Sequence, residues 1–120
     1  MKDLKFAILY DFYNHFLTEK QIEVIEMYYD QDLSLGEIGE NLGITRQGVR
    51  DNIKRAEGLL LEFEEKIGAA KRYQESIDLI NNIQKSVDSI ADMAYSTGQL
   101  GIYDEVKKIR DYLEEARHGI

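Results

Sequence analysis

The segment from Leu33 to Lys54 decides the fold of this chain, and it reads LSLGEIGENLGITRQGVRDNIK. Ser34 and Glu37 have the spacing of a capping box, in which side chains and backbone N–H groups at a helix start bond reciprocally. Gly43 suits the left-handed conformation that ends a helix, and Thr45 can cap the next one. The segment therefore predicts two short helices joined by a tight turn, which is the helix-turn-helix arrangement.

Apolar residues fall on one face of each predicted helix in this segment. The first face consists of Leu35, Ile38 and Leu42, and the second of Val49, Ile53 and Ala56. Gly39 lacks a Cβ, so we expect the second helix to approach closely there. In many helix-turn-helix proteins the second helix enters the major groove of DNA.

Two further helices are predicted upstream, over residues 3–16 and 19–29. The first carries an apolar stripe of Phe6, Leu9, Tyr13 and Phe16, with Ile8 and Phe12 beside it. We expect Tyr10 and Tyr13 to bury their rings and to keep their hydroxyls in water. The second helix opens with a capping box at Thr18 and Gln21.

The helix that begins after Thr45 is predicted to be long, with its break at Gly68-Ala69-Ala70. Helical patterns follow over residues 71–94 and 102–117, separated by a turn at 97–101. Each pattern has an apolar seam, formed by Ile80, Ile83, Val87, Ile90 and Ala94 and then by Ile102, Val106, Ile109, Leu113 and Ala116. These seams predict an antiparallel hairpin that closes on the N-terminal helices or on a second copy of the chain.

The fold class is accordingly all-α. A chain of 120 residues fits one compact domain with a helical extension. We place a helix-turn-helix domain at residues 1–67 and a C-terminal helical extension at 68–120. We expect the extension to form a homodimer, because its seams carry more apolar surface than a small N-terminal core can cover.

The charge of the chain argues against a strongly basic nucleic-acid-binding module. The formal net charge is −8. Residues 1–57 contain 7 basic and 11 acidic side chains, a net of −4, and residues 58–120 contain 8 and 12, again a net of −4. Affinity for nucleic acid comes largely from neutralising phosphates. Any such contact therefore requires a local basic patch.

Several kinds of chemistry are disfavoured by composition. The chain has no cysteine, which excludes disulfides, thiol catalysis and cysteine-ligated zinc. His15 and His118 have neither the spacing of a metal pair nor that of a base and its nucleophile. Asp30 and Asp32 lie in a polar turn, where we expect solvated carboxylates and no metal. The sequence therefore predicts no enzyme, no cofactor and no metal site.

No apolar run approaches the roughly 20 residues that a membrane span needs. The N-terminus also lacks the pattern of a signal peptide. We expect a cytoplasmic protein without membrane insertion.

The outward face of the second helix of the motif carries the candidate site. With Val49 turned inward, side chains suited to phosphates and base edges cover the outer side and its flanks. The candidate nucleic-acid or partner-binding residues are Arg46, Gln47, Arg50, Asn52, Lys54 and Arg55.

Asp51 complicates the interpretation of that face. A carboxylate near its middle repels phosphate unless it accepts a hydrogen bond from a cytosine amino group. Asp51 and Arg55 also have the spacing of an intrahelical ion pair, which would occupy one cation. Two interpretations remain, sequence-specific DNA binding and a retained fold used for contact with protein or RNA, and we favour the second.

Several short motifs in the N-terminal half resemble the YlxM family of bacterial proteins, which is similar to region 4 of sigma factors. They are Asp11-Phe12-Tyr13, Leu17-Thr18-Glu19-Lys20-Gln21, Tyr28-Tyr29, Leu33-Ser34-Leu35-Gly36-Glu37-Ile38, Arg46-Gln47-Gly48-Val49 and Asp51-Asn52-Ile53-Lys54-Arg55. The resemblance covers residues 6–67 strongly and is weak thereafter.

The resemblance implies an all-helical cytosolic protein with a sigma region 4-like domain. It also implies a regulatory link to the signal recognition particle pathway, through the GTPases or the RNA of that particle. Arg46, Gln47, Arg50 and Lys54 match positions where sigma factors touch promoter DNA. Asp51 belongs to the family's own motif and argues against promoter recognition.

Our first hypothesis is therefore a non-enzymatic regulator that contacts proteins or RNA of the signal recognition particle. The alternative is a dimeric DNA-binding transcriptional regulator that uses helix 45–56 in the major groove.

Overall fold

The computed structural model describes residues 2–119 and folds them into six α-helices. They are α1 (Leu4–Tyr13), α2 (Glu19–Ile25), α3 (Leu35–Leu42), α4 (Arg46–Ile67), α5 (Ala69–Ser96) and α6 (Leu100–His118). A 3₁₀ segment, Asn14–Phe16, follows α1, and a π-helical turn, Glu26–Asp30, follows α2. No strand occurs within residues 2–119, and the predicted all-α class is confirmed.

The chain divides into two compact units, Met1–Ala70 and Lys71–Ile120. The sequence placed its boundary three residues earlier, after Ile67. The difference has a packing reason, because Ala69 and Ala70 lie against the hydrophobic core of the first unit.

The core of the first unit is built where α1, α2 and α3 pack on α4. Its buried residues are Leu9, Tyr10, Tyr13, Leu17, Val24, Ile25, Ile38, Val49, Ile53, Ala56 and Leu60. The predicted inner face of α4 is confirmed, since Val49 and Ala56 are fully buried and Ile53 is 4% exposed. The predicted stripe on the first helix is wrong at Phe16, which is 55% exposed. The α-helix ends at Tyr13, and the 3₁₀ segment that follows turns Phe16 outward.

The tyrosine hydroxyls of α1, which we expected to lie in water, donate hydrogen bonds to carboxylates instead. Tyr10 donates to Glu26 Oε1 over 2.6 Å, and Tyr13 donates to Glu64 Oε1 over 2.5 Å. Burial and these acceptors raise the pKa of both hydroxyls. Satisfying a buried hydroxyl in this way avoids the cost of leaving it without a partner.

The predicted break between α4 and α5 is confirmed at Gly68, whose φ of 67° ends α4 in the left-handed conformation. The first N–H groups of α5 have acceptors outside their own helix. Ala69 N–H donates to the Tyr13 hydroxyl over 3.0 Å, and Ala70 N–H donates to Glu64 Oε1 over 3.1 Å. The same tyrosine–glutamate pair thus joins α1, the end of α4 and the start of α5.

The second unit is an antiparallel hairpin with a regular register. Three α5 residues at steps of seven meet three α6 residues at steps of seven in the reverse direction. These pairs are Asn81 with Arg117 (3.0 Å), Asp88 with Arg110 (3.0 Å) and Tyr95 with Tyr103 (5.5 Å between ring centroids). The reversal occurs at Gly98, whose φ is 74°. The predicted hairpin is confirmed, although Gly101 lies inside α6 and not in the turn.

Only three of the five seam residues on α5 and two of the five on α6 are buried within this hairpin. Ile80, Val87 and Ala94 on α5 are buried, as are Val106 and Leu113 on α6. The alternate seam positions are 40–50% exposed, and these are Ile83, Ile90, Ile102 and Ile109. The hairpin therefore buries one set of apolar seam residues and leaves the alternating set exposed.

Candidate nucleic-acid interface

The turn between α3 and α4 is fixed by capping groups and by one close backbone approach. The Ser34–Glu37 capping box is present, with both reciprocal bonds at 3.0–3.1 Å. Gly43 ends α3 with a φ of 69°, and the Thr45 hydroxyl accepts from Gly48 N–H over 3.0 Å. A Cβ on Gly39 would lie 2.7 Å from the backbone oxygen of Ile44, so only glycine fits there. The N-terminal half of α4 is consequently held in a defined orientation.

Asp51 has a different partner from the one expected. Its Oδ1 accepts a hydrogen bond from Gln47 Nε2 over 2.9 Å. The predicted ion pair between Asp51 and Arg55 is wrong, because the amide one turn earlier reaches the carboxylate instead. Gln47 is thereby engaged within the helix, whereas Arg55 keeps its charge available.

The four cations in the N-terminal half of α4 make no hydrogen bond or ion pair with any residue among 2–119. They are Arg46, Arg50, Lys54 and Arg55, and all four are exposed. Cations that are not paired intramolecularly can neutralise an incoming phosphate without first breaking an internal bond.

Arg46, Arg50 and Lys54 form a cationic stripe along one face of α4. Steps of four residues turn an α-helix by only about 40°, so the three side chains cover an arc of about 80°. Arg55 projects about 100° beyond Lys54, and Asn52 lies on the far side of the helix, where it is half-buried. The structure therefore groups three of the six candidate residues, places Gln47 beside Lys54 at the edge of the stripe, and separates Arg55 and Asn52 from them.

A cavity of about 260 Å³ adjoins the cationic stripe. It is lined by Tyr28, Leu35, Arg50, Ile53, Lys54 and Glu57. Its residues come from the π-helical turn, from α3 and from α4. The cavity therefore combines an apolar floor, an aromatic wall, two cations and one carboxylate.

Lys2 fastens the aromatic wall of this cavity. Its Nζ donates to the backbone oxygens of Tyr28 (2.6 Å) and Leu33 (2.9 Å) and to Asp32 Oδ1 (2.9 Å). The ammonium also lies 4.1 Å from the centroid of the Tyr28 ring, within the range of a cation–π contact. All three donors of the ammonium are used, and the π-helical turn is held against the N-terminus.

Glu57 is fixed by a second contact. The hydroxyl of Tyr29 donates a hydrogen bond to Glu57 Oε2. Burial is the largest cause of the raised pKa of Tyr29, and the hydrogen bond to Glu57 is the second. The phenol therefore stays protonated and remains a donor. The carboxylate of Glu57 is thus oriented by its neighbour while it lines the cavity.

Sequence reasoning did not identify Tyr28, Leu35 or Glu57 as site residues. Glu57 had a usable signal, because it lies three residues after Lys54 and seven after Arg50, on the same helical face. Tyr28 had no usable signal in the sequence, because its placement depends on a π-helical turn that no local sequence pattern predicted. Leu35 was assigned to the inner face of α3, and it is half-buried at the edge of that face.

Within residues 2–119, no group of three or more histidine, aspartate or glutamate side chains has the geometry to hold a metal ion. In the same range, every helix is too short or too polar to cross a bilayer.

Comparison with known proteins places this geometry in a family. The family model described as "Putative helix-turn-helix protein, YlxM / p13 like" (UPF0122) matches residues 1–97. The UPF0122 protein of Acetivibrio thermocellus is 38% identical over 109 residues, which are 91% of each chain.

Other relatives match a shorter stretch of the chain. A UPF0122 protein of Thermoanaerobacter sp. is 61% identical over 69 residues, and one of Bacillus cereus is 47% identical over 74 residues. These alignments cover 58% and 62% of this chain. The chain spans 59% of the length of the Thermoanaerobacter relative. Since the family model covers most of the sequence and the helix-turn-helix is present, this chain belongs to the UPF0122 family of YlxM / p13-like proteins.

Proposed function

We propose that this protein is a non-enzymatic regulator that binds RNA phosphates through the cationic stripe of α4, and that its partner is the RNA of the signal recognition particle. The observation that carries the proposal is which charged side chains of α4 have partners within the protein and which do not. Arg46, Arg50 and Lys54 are unpaired among the described residues, while the two nearby acids of α4, Asp51 and Glu57, accept hydrogen bonds from Gln47 and Tyr29. The family resemblance supplies the identity of the RNA.

The net charge of −8 sets the expected strength of binding. Three phosphate contacts work against a repulsive overall field, so affinity should be moderate and sensitive to salt. For single-stranded RNA, each neutralised phosphate contributes about 0.7 to the slope of log affinity against log salt. A slope of about −2 is therefore expected.

The test is fluorescence anisotropy with labelled signal recognition particle RNA. A variant with Arg46, Arg50 and Lys54 changed to alanine should lose at least tenfold in affinity and most of the salt slope. The matched control changes Lys20, Lys85 and Lys107 to alanine, which removes the same charge elsewhere. Equal losses in both variants, or no binding by the wild type at low salt, would contradict the proposal.

The regulatory role has its own measurement. The purified protein is added to a reconstituted particle and its receptor, and GTP hydrolysis is followed. We expect a changed rate and comigration with the particle. An unchanged rate without comigration would count against this partner.

A second candidate is binding to duplex DNA. It is favoured by the exposed positions of Arg46 and Gln47 in the first turn of α4, the part of a recognition helix that contacts base edges. Base reading by Gln47 would require its bond to Asp51 to break. Competition of labelled RNA by unlabelled genomic duplex discriminates the two candidates, because duplex should displace the RNA only if DNA is the better ligand.

A further inference from the structure

We propose that the cavity lined by Tyr28, Leu35, Arg50, Ile53, Lys54 and Glu57 receives one unpaired nucleotide of an RNA chain, and that its base carries an exocyclic amino group. This inference rests on the proposed function, since it needs nucleic acid on the cationic stripe. It adds a preference for an unpaired base with an amino group, which is cytosine, adenine or guanine, over uracil.

The size and floor of the cavity suit one planar group. Its volume of about 260 Å³ lies below the range of about 300–1,000 Å³ that is typical for pockets of drug-sized ligands. Ile53 is 4% exposed and, with the half-buried Leu35, forms an apolar floor. A base in a duplex cannot enter such a cavity without leaving its stack, whereas a base in a loop or bulge is already splayed out.

The polar residues divide the cavity into two ends. Arg50 and Lys54 are cationic and belong to the stripe, so they suit the phosphate of the entering nucleotide. Glu57 lies seven residues after Arg50, about 10 Å along the helix axis. A nucleotide whose phosphate lies at Arg50 therefore extends its base along the helix toward Glu57. The carboxylate is therefore placed for the base edge.

The carboxylate of Glu57 selects among bases by its chemistry. An ionised carboxylate only accepts hydrogen bonds, and it offers about four lone-pair sites. Tyr29 uses one of these sites on Oε2, which leaves others open. Cytosine, adenine and guanine each present an amino donor, whereas uracil and thymine have carbonyl oxygens and no amino group. An acceptor facing a carboxylate is repelled, so uracil should be disfavoured.

The cavity walls are positioned before any ligand arrives. Tyr29 orients Glu57, and Lys2 fixes the backbone of Tyr28 through a 2.6 Å hydrogen bond. Side chains that are already ordered lose less conformational entropy on binding. A base preference can therefore be expressed even by a shallow site.

The test compares the affinities of the full chain for labelled RNA decamers of cytidine, adenosine and uridine. We expect the first two to bind about tenfold more tightly than the uridine decamer. Glu57→Gln should remove this preference while retaining RNA binding, because an amide both donates and accepts. The matched control is Glu23→Gln on an exposed position of α2, which should keep the preference.

A second measurement avoids any question about the folding of variants. Amide chemical shifts of the wild type are recorded during titration with the cytidine decamer and with cytidine monophosphate. Shifts should concentrate at Tyr28, Leu35 and Glu57, and the decamer should bind more tightly than the free nucleotide. Equal affinity for all decamers, or shifts confined to other residues, overturns the base site but leaves stripe binding intact. No binding of any decamer contradicts the proposed function itself.

Discussion

At the scale of single residues, Gly39 in α3 and Gly58 in α4 differ in whether the structure has room for a Cβ atom. Gly39→Ala would place a Cβ 2.7 Å from the backbone oxygen of Ile44, which cannot move without opening the turn. We expect a loss of about 1–3 kcal/mol in the free energy of unfolding. Gly58 lies on the exposed side of α4 with open space around it. Gly58→Ala should therefore raise stability by about 0.5–1 kcal/mol.

Urea unfolding followed by far-ultraviolet circular dichroism measures both effects. Each variant serves as the other's control, because the chemical change is the same and only the surroundings differ. A Gly39→Ala protein as stable as the wild type would mean that α3 and the turn are not in such close contact.

Tyr29 should make stability depend on pH in the alkaline range. Burial and the hydrogen bond to Glu57 raise its pKa in the folded state above the ordinary value of 10.0. The folded protein thus retains a proton that the unfolded chain loses above pH 10. Stabilisation from this group is complete below pH 10 and is lost as the pH rises further, by up to about 1.4 kcal/mol per pH unit.

The comparison of wild type with Tyr29→Phe between pH 9 and pH 11.5 isolates this contribution. The variant should be less stable at pH 9, because Glu57 loses its donor, and its stability should fall less steeply above pH 10. Tyr112→Phe is the control, since this tyrosine is 65% exposed. Parallel curves for wild type and Tyr29→Phe would contradict the coupling between the phenol and Glu57.

At the scale of helices, the sequence predicted those boundaries that local groups determine. The bounds of α3 and the start of α4 follow from Ser34, Gly43 and Thr45, whose capping roles involve only neighbours within a few residues. The π-helical turn at Glu26–Asp30 was predicted as ordinary helix. Its stabilising contact comes from Lys2, 26 residues away from Tyr28, and no window of sequence contains both.

Only the part of the candidate site that lies on a single helix could be predicted from the sequence. Arg46, Arg50 and Lys54 share a helical face, so periodicity alone groups them. The cavity beside them needed residues from three elements, and only the three-dimensional structure could assemble those. The partner of Asp51 was missed for a different reason, because Gln47 and Arg55 lie at equal distances along the helix and sequence cannot choose between them.

At the scale of the whole molecule, the second unit presents an apolar face that one hairpin leaves uncovered. Ile83 and Ile90 on α5 and Ile102 and Ile109 on α6 are 40–50% exposed. A groove of about 260 Å³, lined by Ile90, Met93, Ala94, Thr97, Gln99 and Ile102, joins the two helices on this face. The four isoleucines therefore lie on the same side of the hairpin.

We propose that a second copy of the chain covers this face. The exposed seam alternates with the buried seam at the heptad spacing, which is the pattern of a helix that packs against two neighbours in a bundle. In a two-fold dimer, each hairpin would present two isoleucines from each helix to its partner. Two hairpins would then form an antiparallel four-helix bundle with an isologous interface.

Light scattering coupled to size-exclusion chromatography tests this arrangement. At tens of micromolar, the wild type should have twice the 13.9 kDa mass of one chain. The double variant Ile90→Glu and Ile109→Glu should be monomeric, because burying two carboxylates per chain without partners costs several kcal/mol. Leu100→Glu is the control, since Leu100 is 58% exposed and projects from the opposite side of α6. It should remain dimeric. A wild type with the mass of one chain, or loss of the dimer in the control alone, would show that these isoleucines do not form the interface.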